Sequence, residues 1–358
     1  MTRLQCHLIA LALLLAVLAT ARTQPAPSAP TRGKARAAEA PLEMAIRGRT
    51  EWLPALKRAA RAADPAVRAR AAFVLGQIAA PACRQTLQRL HEDASREVRF
   101  QAGIGLGFLR EKGALGTCRA ALADGPNWRR LYAADALLRI GGERAKRAVQ
   151  DALPGQPPYI RDLMRGLLYG GERPSPLGHQ AEERKVSRHV PPQACDTIGK
   201  AFALAADVLW MLTDPYWHEG DHESCIRLGY AATFVDPSHV DAWTSTAWLA
   251  WSNGRTPEAE RLYQAAIEAN PRDDQGYYEF GFHFYRLKQY RRAVALLKKA
   301  SELPCPDFVP RLYAHALEKS GQLQAALAVW EQLLKADPDN SVVKNNRDRV
   351  RGLVAGQD

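Results

Sequence analysis

The C-terminal half of the chain repeats one pattern of apolar and polar positions. Between Val240 and Asp273, apolar residues recur every three or four positions in two runs, which is the spacing of one face of an α-helix. Ser252-Asn253-Gly254 separates the runs, and Asn270-Pro271 follows the second one. Because Gly and Pro interrupt helices, the pattern predicts two short helices joined by a tight turn.

The pattern recurs at a spacing of 34 residues, with small residues where paired helices approach closely and aromatic residues between pairs. In chain order the matching residues are Gly220, Cys225, Ala232 and Pro237; Trp243, Ala247, Gly254, Ala259, Tyr263, Ala266 and Pro271; Tyr277, Gly281, Lys288, Ala293 and Ala300; and, displaced by one residue, Ala314, Gly321, Ala326, Trp330 and Pro338. This pattern resembles the tetratricopeptide repeat, a helix-turn-helix unit of about 34 residues. Because one such unit cannot bury its apolar face alone, the resemblance implies a stack of units over residues 196–339.

Two local features modify this stack. Pro215 interrupts the first helix of the first unit, so we expect Asp214 to Gly220 to form an irregular loop. After the last unit, apolar residues recur at helical spacing and predict a closing helix within residues 340–358. They are Val343, Val350 and Val354.

The first half has a second repeat, with a period of 31 residues. Its matching positions are Arg68, Ala71, Leu75 and Gly76; Arg99, Ala102, Leu106 and Gly107; Arg130, Ala133 and Leu137; and Arg161, Met164 and Leu168. Second helices are marked by Leu53, Leu56, Leu87, Leu90 and Leu122. Glycines are expected to end helices, at Gly76, Gly107, Gly141 and Gly142. This pattern resembles the short form of the HEAT repeat, which is also found in phycobilin lyases.

The expected fold class is therefore all-α, a two-part α-solenoid of stacked helix-turn-helix repeats. HEAT-like repeats are expected over residues 42–171 and tetratricopeptide-like repeats over residues 196–339. Between them, residues 172–195 are polar and rich in Gly and Pro near their start, which predicts a hinge.

Residues 1–21 have the order of a secretory signal peptide. Met1-Thr2-Arg3 precedes an apolar run from Leu8 to Ala19, and small residues follow up to Ala21. We expect cleavage after Ala21 and a periplasmic or secreted bacterial protein. The alternative is a membrane anchor, but a spanning helix needs about 20 apolar residues, so no transmembrane helix is expected in the mature chain. Residues 22–41, rich in Pro and Ala, predict a linker.

The net charge of +11 is unevenly distributed. Residues 41–175 hold 23 Lys/Arg against 13 Asp/Glu, whereas residues 196–358 hold 18 against 22. The basic half suggests a surface for acidic partners, anionic envelope components or glycans. In an exported protein such a surface is not expected to meet nucleic acid.

An arginine recurs at one register position of the first repeat, at Arg68, Arg99, Arg130 and Arg161. One interpretation is a basic, anion-binding surface along one edge of the array. The other, which the HEAT resemblance implies, is that each arginine pairs with an acid such as Asp64, Glu97 or Asp124 and ties neighbouring repeats together. The charge surplus favours a basic face in either case.

Two groups of residues bear on chemistry. Without Cys6 of the signal peptide, five cysteines remain and none forms a CxxC pair, so we expect buried thiols; they are Cys83, Cys118, Cys195, Cys225 and Cys305. The alternative is a Cys195–Cys225 bridge.

His218 to His222 matches the HExxH zinc motif, but Gly220 at a turn separates the histidines. We therefore predict no metal site, no cofactor and no enzymatic activity, with an enzyme of the HExxH or phycobilin-lyase-like type as the alternative.

The tetratricopeptide resemblance assigns positions 2, 5, 9, 12 and 13 of each first helix to an inner face. Positions 5, 9 and 12 are Thr244, Trp248 and Trp251; Tyr278, Phe282 and Tyr285; Arg311, His315 and Glu318; and, in the irregular first unit, Trp210, Asp214 and Trp217. Spacings of four and three place each trio on one helical stripe. Exposed aromatic residues are costly unless something covers them.

These residues favour an exported, non-enzymatic scaffold that binds a partner protein or peptide on its aromatic face. Two alternatives remain for the same rings. A glycan could stack on them, or the chain could cover them itself with the hinge or the C-terminal helix.

Overall fold

The computed structural model describes residues 46–169 and 197–356, and the regular structure of both ranges is helical. We call residues 46–169 the N-terminal array and residues 197–356 the C-terminal array. The predicted signal peptide, linker and hinge, and Cys195, lie outside the described residues. The predicted all-α solenoid is confirmed, since helices in both arrays pack against their neighbours in chain order.

The N-terminal array alternates inner and outer helices. Its helices are α1 (Leu53–Ala59), α2 (Pro65–Ile78), α3 (Arg84–His91), α4 (Arg96–Phe108), α5 (Leu115–Ala123), α6 (Asn127–Ile140), α7 (Glu143–Ala152) and α8 (Pro158–Tyr169). The inner helices α2, α4 and α6 pack side by side, and each also packs against the outer helix that follows it. Most residues of the inner helices are buried.

The C-terminal array consists of successive helix pairs and a closing helix. Its helices are α9 (Ile198–Met211), α10 (Thr213–His218), α11 (His222–Val235), α12 (Val240–Ser252), α13 (Thr256–Ala269), α14 (Asp274–Arg286), α15 (Tyr290–Ser301), α16 (Phe308–Lys319), α17 (Leu323–Ala336) and α18 (Ser341–Ala355). The last helix, α18, lies where the closing helix was expected and buries Val343 and Val350. No helix in the described ranges has the length and apolarity needed to cross a bilayer.

The prediction of an irregular loop from Asp214 to Gly220 is wrong, because Thr213–His218 is helical. Pro215 lies in the first turn of α10, where the backbone N–H has no intrahelical partner, so proline costs no helical hydrogen bond there. The chain therefore starts a new helix after Leu212. Gly220 follows as the turn residue, with φ of 74°.

Two of the glycines expected to end helices instead lie inside them. A Cβ on Gly76 would lie 2.7 Å from Gly105 Cα, so these glycines let α2 and α4 touch through their backbones. Gly107 faces α6 at similarly close range. The end of α2 is at Ala79, in the left-handed conformation with φ of 49°, whereas Gly141 follows α6 as predicted.

The two arrays share one hydrophobic core. Its buried residues continue from the N-terminal array into α9, α11 and the start of α12. The ring of Phe234 in α11 lies 5.8 Å from Phe73 and 5.1 Å from Trp128. Arg227 donates a buried hydrogen bond of 2.8 Å to the Tyr132 hydroxyl. The inner helices of the N-terminal array are thus covered on a second side by the C-terminal array.

Polar contacts extend this junction to the following helix pair. The Arg255 guanidinium lies 4.2 Å from the ring centroid of Tyr159 in α8. It also donates to Glu223 at 2.8 Å and lies 3.5 Å from Glu258. Glu258 in turn accepts from the Tyr230 hydroxyl at 2.7 Å. The junction therefore fixes the orientation of the first two helix pairs of the C-terminal array.

Candidate functional site

Partly exposed aromatic residues form a row across α10, α12, α14 and α16. The rings of Trp217 and Trp248 lie 5.7 Å apart. Tyr278 and Phe282 are nearly parallel at 6.0 Å, and Tyr278 meets Phe308 at 5.2 Å. We call the following residues the aromatic row: Trp217, Trp248, Trp251, Tyr278, Phe282 and Phe308.

Helix caps fix the starts of two helices that carry these rings, α12 and α14. The His239 side chain accepts from the Ala242 amide at the start of α12, and Asp273 accepts from the Gln275 amide at the start of α14. Such caps fix where a helix begins. Residues three and four positions apart then lie on one side of each helix, which places the row on neighbouring helices.

Arg286 links the two halves of the row. Its guanidinium carbon lies 4.2 Å from the ring centroid of Trp251 and 5.8 Å from that of Phe282. Both distances are those of cation–π contacts. Burial lowers the pKa of Arg286, which means that its charge is incompletely compensated where it lies.

Glu279 lies two turns before Arg286 on α14. Burial raises the pKa of Glu279 to about 7; Asp241 raises it further and Arg286 opposes the shift. Its carboxyl group has no hydrogen-bond partner among the described residues. Near neutral pH this acid is therefore only partly charged.

Three predicted residues lie elsewhere. Thr244 is 5% exposed and donates its hydroxyl to the Val240 carbonyl of its own helix at 3.1 Å, so it does not belong to this surface. Trp210 packs against His239 at 5.9 Å, at the junction of α9 and α12. Tyr285 packs against the ring of the first residue of α15 at 5.3 Å. Only part of the predicted set is therefore brought together.

In the predicted trio of the last pair, Glu318 contacts the closing helix instead. Glu318 accepts from Arg349 of α18 at 2.7 Å and from the Trp330 indole at 2.9 Å. Arg311 is paired with Asp307 at 2.7 Å. The aromatic row therefore ends at α16.

Two residues of this surface were missed by sequence reasoning. Arg286 occupies position 13 of its unit, which the tetratricopeptide resemblance also assigns to the inner face, so the register could have found it. Phe308 follows an irregular segment that displaces the last pair by one residue. No local pattern indicated its contact with Tyr278.

The HExxH match does not form a helical metal site. His218 ends α10 and His222 begins α11, with the turn at Gly220 between them. His222 instead stacks on Trp217 at 5.3 Å, next to the aromatic row. The described parts of the chain contain no group of three His, Cys, Asp or Glu side chains placed to hold a metal ion.

The cysteines within the described ranges are free thiols. Cys83, Cys118 and Cys225 are buried, and Cys305 is partly exposed. Burial raises the pKa of Cys118 and of Cys225 to about 12. Buried thiols with such pKa values are packing residues and poor nucleophiles.

The recurring arginines of the N-terminal array close turns between repeats. Arg68 donates to both Asp93 oxygens at 2.7 and 2.9 Å, and to the carbonyls five and six residues before it. Arg99 repeats the two carbonyl contacts. Arg130 donates to Gln156 at 3.3 Å, and Arg161 is partly exposed on α8. The tying interpretation fits Arg68, which pairs with an acid, whereas Arg99 donates to turn carbonyls.

Exposed cations lie instead on the outer helices. Together α1, α3, α5 and α7 carry eight Lys/Arg and two Asp/Glu. Several are exposed: Lys57, Arg119, Arg144, Lys146 and Arg147. The exposed cations on the helices of the N-terminal array therefore lie mostly on its outer helices.

Comparisons with known proteins bear on the fold. Residues 51–138 match the family model of HEAT repeats, within the predicted HEAT-like range and over less than half of the chain. No curated protein matches the chain. A solved structure, the crystal structure of MamA protein, matches at 15% identity over 41% of this chain and 86% of that chain, with a TM-score of 0.33. The chain is a helical-repeat protein.

Proposed function

We propose that this helical-repeat protein is a non-enzymatic scaffold that binds a partner protein or peptide on the aromatic row. The observation that supports this proposal is the row itself, because six rings from neighbouring helices form one partly exposed surface. A contiguous aromatic surface is costly in water and marks interaction sites. A helix or an extended segment with apolar side chains fits such a surface.

We further infer that residues 196–339, which make up most of the C-terminal array, are tetratricopeptide-like. Its consecutive helix pairs support this, as do the turn glycines Gly254 and Gly321 with φ of 78° and 84°. The same proposal includes HEAT-like repeats over residues 42–171 and a hinge over residues 172–195. The signal-peptide pattern of residues 1–21 supports a periplasmic or secreted location.

The outer helices of the N-terminal array form a second proposed surface. Their excess of exposed cations suits acidic partners or anionic envelope components, which an electrostatic field attracts without shape-specific contacts. Arg144, Lys146 and Arg147 on α7 supply the densest cluster.

A pull-down from an envelope extract with mass spectrometry tests the aromatic row. We expect wild type to retain a protein that the double variant Trp217→Ala/Trp248→Ala loses, because both rings lie at one end of the row. Tyr169→Ala is the matched control, since Tyr169 is 61% exposed and lies off the row on α8.

Thermal unfolding shows whether each variant is folded at the assay temperature. Equal retention by wild type and a folded double variant contradicts the proposal. Retention of carbohydrate in place of protein assigns the rings to glycan binding and contradicts the peptide assignment.

A further inference from the structure

Arg286 is held in place before any partner binds. It is the last residue of α14, with Phe282 one turn before it on the same helix and Trp251 on the neighbouring α12. Contact with two rings restricts its flexible side chain. A guanidinium ordered in advance loses less entropy for each hydrogen bond that it later forms.

The donors of this guanidinium are unused. Across residues 46–169 and 197–356, no hydrogen-bond acceptor or carboxylate pairs with Arg286. Three other arginines of the C-terminal array differ, because each pairs with an acid at 2.7–3.0 Å: Arg255 with Glu223, Arg292 with Glu260 and Arg311 with Asp307. Glu279 of the same helix forms no ion pair with Arg286. A partly exposed, ordered cation with five free N–H groups thus lies within an aromatic surface.

We propose that Arg286 is the receptor for a carboxylate of the partner, so that the aromatic row binds peptides in which an acidic group is flanked by apolar side chains. This rests on the proposed function of the row. The two carboxylate oxygens accept two parallel N–H bonds from the planar guanidinium. The flanking apolar side chains cover the rings of Trp251 and Phe282.

The surrounding charges favour a carboxylate over a phosphate. One guanidinium matches a single negative charge, whereas the partly charged Glu279, which interacts electrostatically with Arg286, opposes a doubly charged group. A bound carboxylate would also compensate the positive charge of Arg286, which the buried surroundings leave incompletely compensated. The carboxylate comes either from an Asp or Glu side chain or from a chain terminus, and the chemistry is the same in both cases.

Fluorescence anisotropy with labelled pools of short random peptides tests the assignment. The first pools have amidated C termini and a fixed central Glu, Gln or Lys, and a further pool combines a central Gln with a free terminal carboxylate. We expect the full chain to bind a carboxylate-bearing pool about tenfold more tightly than the amidated Gln pool, as charge-assisted hydrogen bonds predict. The pool that gains affinity identifies the side chain or the terminus as the source.

Variants separate recognition from a structural role. Arg286→Gln should abolish the preference for the carboxylate, and Arg286→Lys should retain part of it, because the charge stays while the planar fork is lost. Arg311→Gln is the matched control, since Arg311 lies on the next first helix and is already paired with Asp307. It should leave the preference unchanged.

Equal affinity of wild type for all pools would overturn the carboxylate receptor. If Trp248→Ala then weakens every pool, the row still binds peptides and only the role of Arg286 is wrong. If no pool binds, or if a folded Trp248→Ala variant binds all pools like wild type, the proposed function fails as well.

Discussion

Gly76 and Gly105 set the distance between α2 and α4. A Cβ on Gly76 would lie 2.7 Å from Gly105 Cα, and one on Gly105 would lie 2.9 Å from Gly76 Cα. The atoms met are backbone atoms, which cannot turn aside as the end of a flexible side chain can. The packing of the inner helices therefore depends on the absence of two side chains.

We expect Gly76→Ala to lower the free energy of unfolding by about 2 kcal/mol through overpacking, although alanine is the better helix former by about 1 kcal/mol. Gly116→Ala in α5 is the control, because nothing lies within 4 Å of a Cβ there. It should raise stability by about 0.5–1 kcal/mol. Urea denaturation measures both, and an unchanged midpoint for Gly76→Ala would show that the helices have room to separate.

At the same scale, the sequence predicted most residues of the aromatic row but not which residues of the same helical stripe are excluded from it. Trp248, Phe282 and Trp217 follow from the register of the repeat. Thr244 lies on the same stripe as Trp248, yet the surrounding helices bury it to 5% exposure. Burial of one position depends on neighbours distant in sequence, and a helical period does not encode them.

At the scale of elements, the arginines of the N-terminal array divide between two tasks. Those near the start of the inner helices, such as Arg68 and Arg99, use their donors on turn carbonyls. Those on outer helices are exposed. Net charge alone could not separate these groups, because the number of arginines does not reveal which of their donors are already used.

The outer-helix cations should govern binding to an anionic polymer. We expect the triple variant Arg144→Gln/Lys146→Gln/Arg147→Gln to elute from a heparin column at clearly lower salt than wild type, because clustered charges focus the field on one surface. The control removes three exposed cations from α15, Arg291, Lys298 and Lys299. Equal shifts in both variants would show that total charge, not the α7 surface, governs retention.

Element boundaries were less predictable than element types. Proline signalled an interruption near Pro215, and α9 does end at Met211. The signal could not show that the same proline suits the first turn of a following helix, α10. Trp217 therefore lies on a helix and not in a loop, which positions its ring against Trp248.

At the scale of the whole molecule, two repeat arrays of different period share one core. Contacts such as Phe234 with Phe73 and Arg227 with Tyr132 join residues far apart in sequence. Periodicity predicts contacts within an array, but it contains no information about how one array docks on another. The shared core fixes α11 and the start of α12, next to the first rings of the aromatic row.

The most direct test of the central proposal is the indole N–H spectrum of the tryptophans, recorded by NMR with and without the protein that wild type retains. We predict that binding shifts the signals of Trp217, Trp248 and Trp251, since these rings form the contact surface. The signals of Trp52 and Trp330, which are 1% and 0% exposed, should stay in place. Unchanged row signals at saturating partner would contradict binding on the aromatic row.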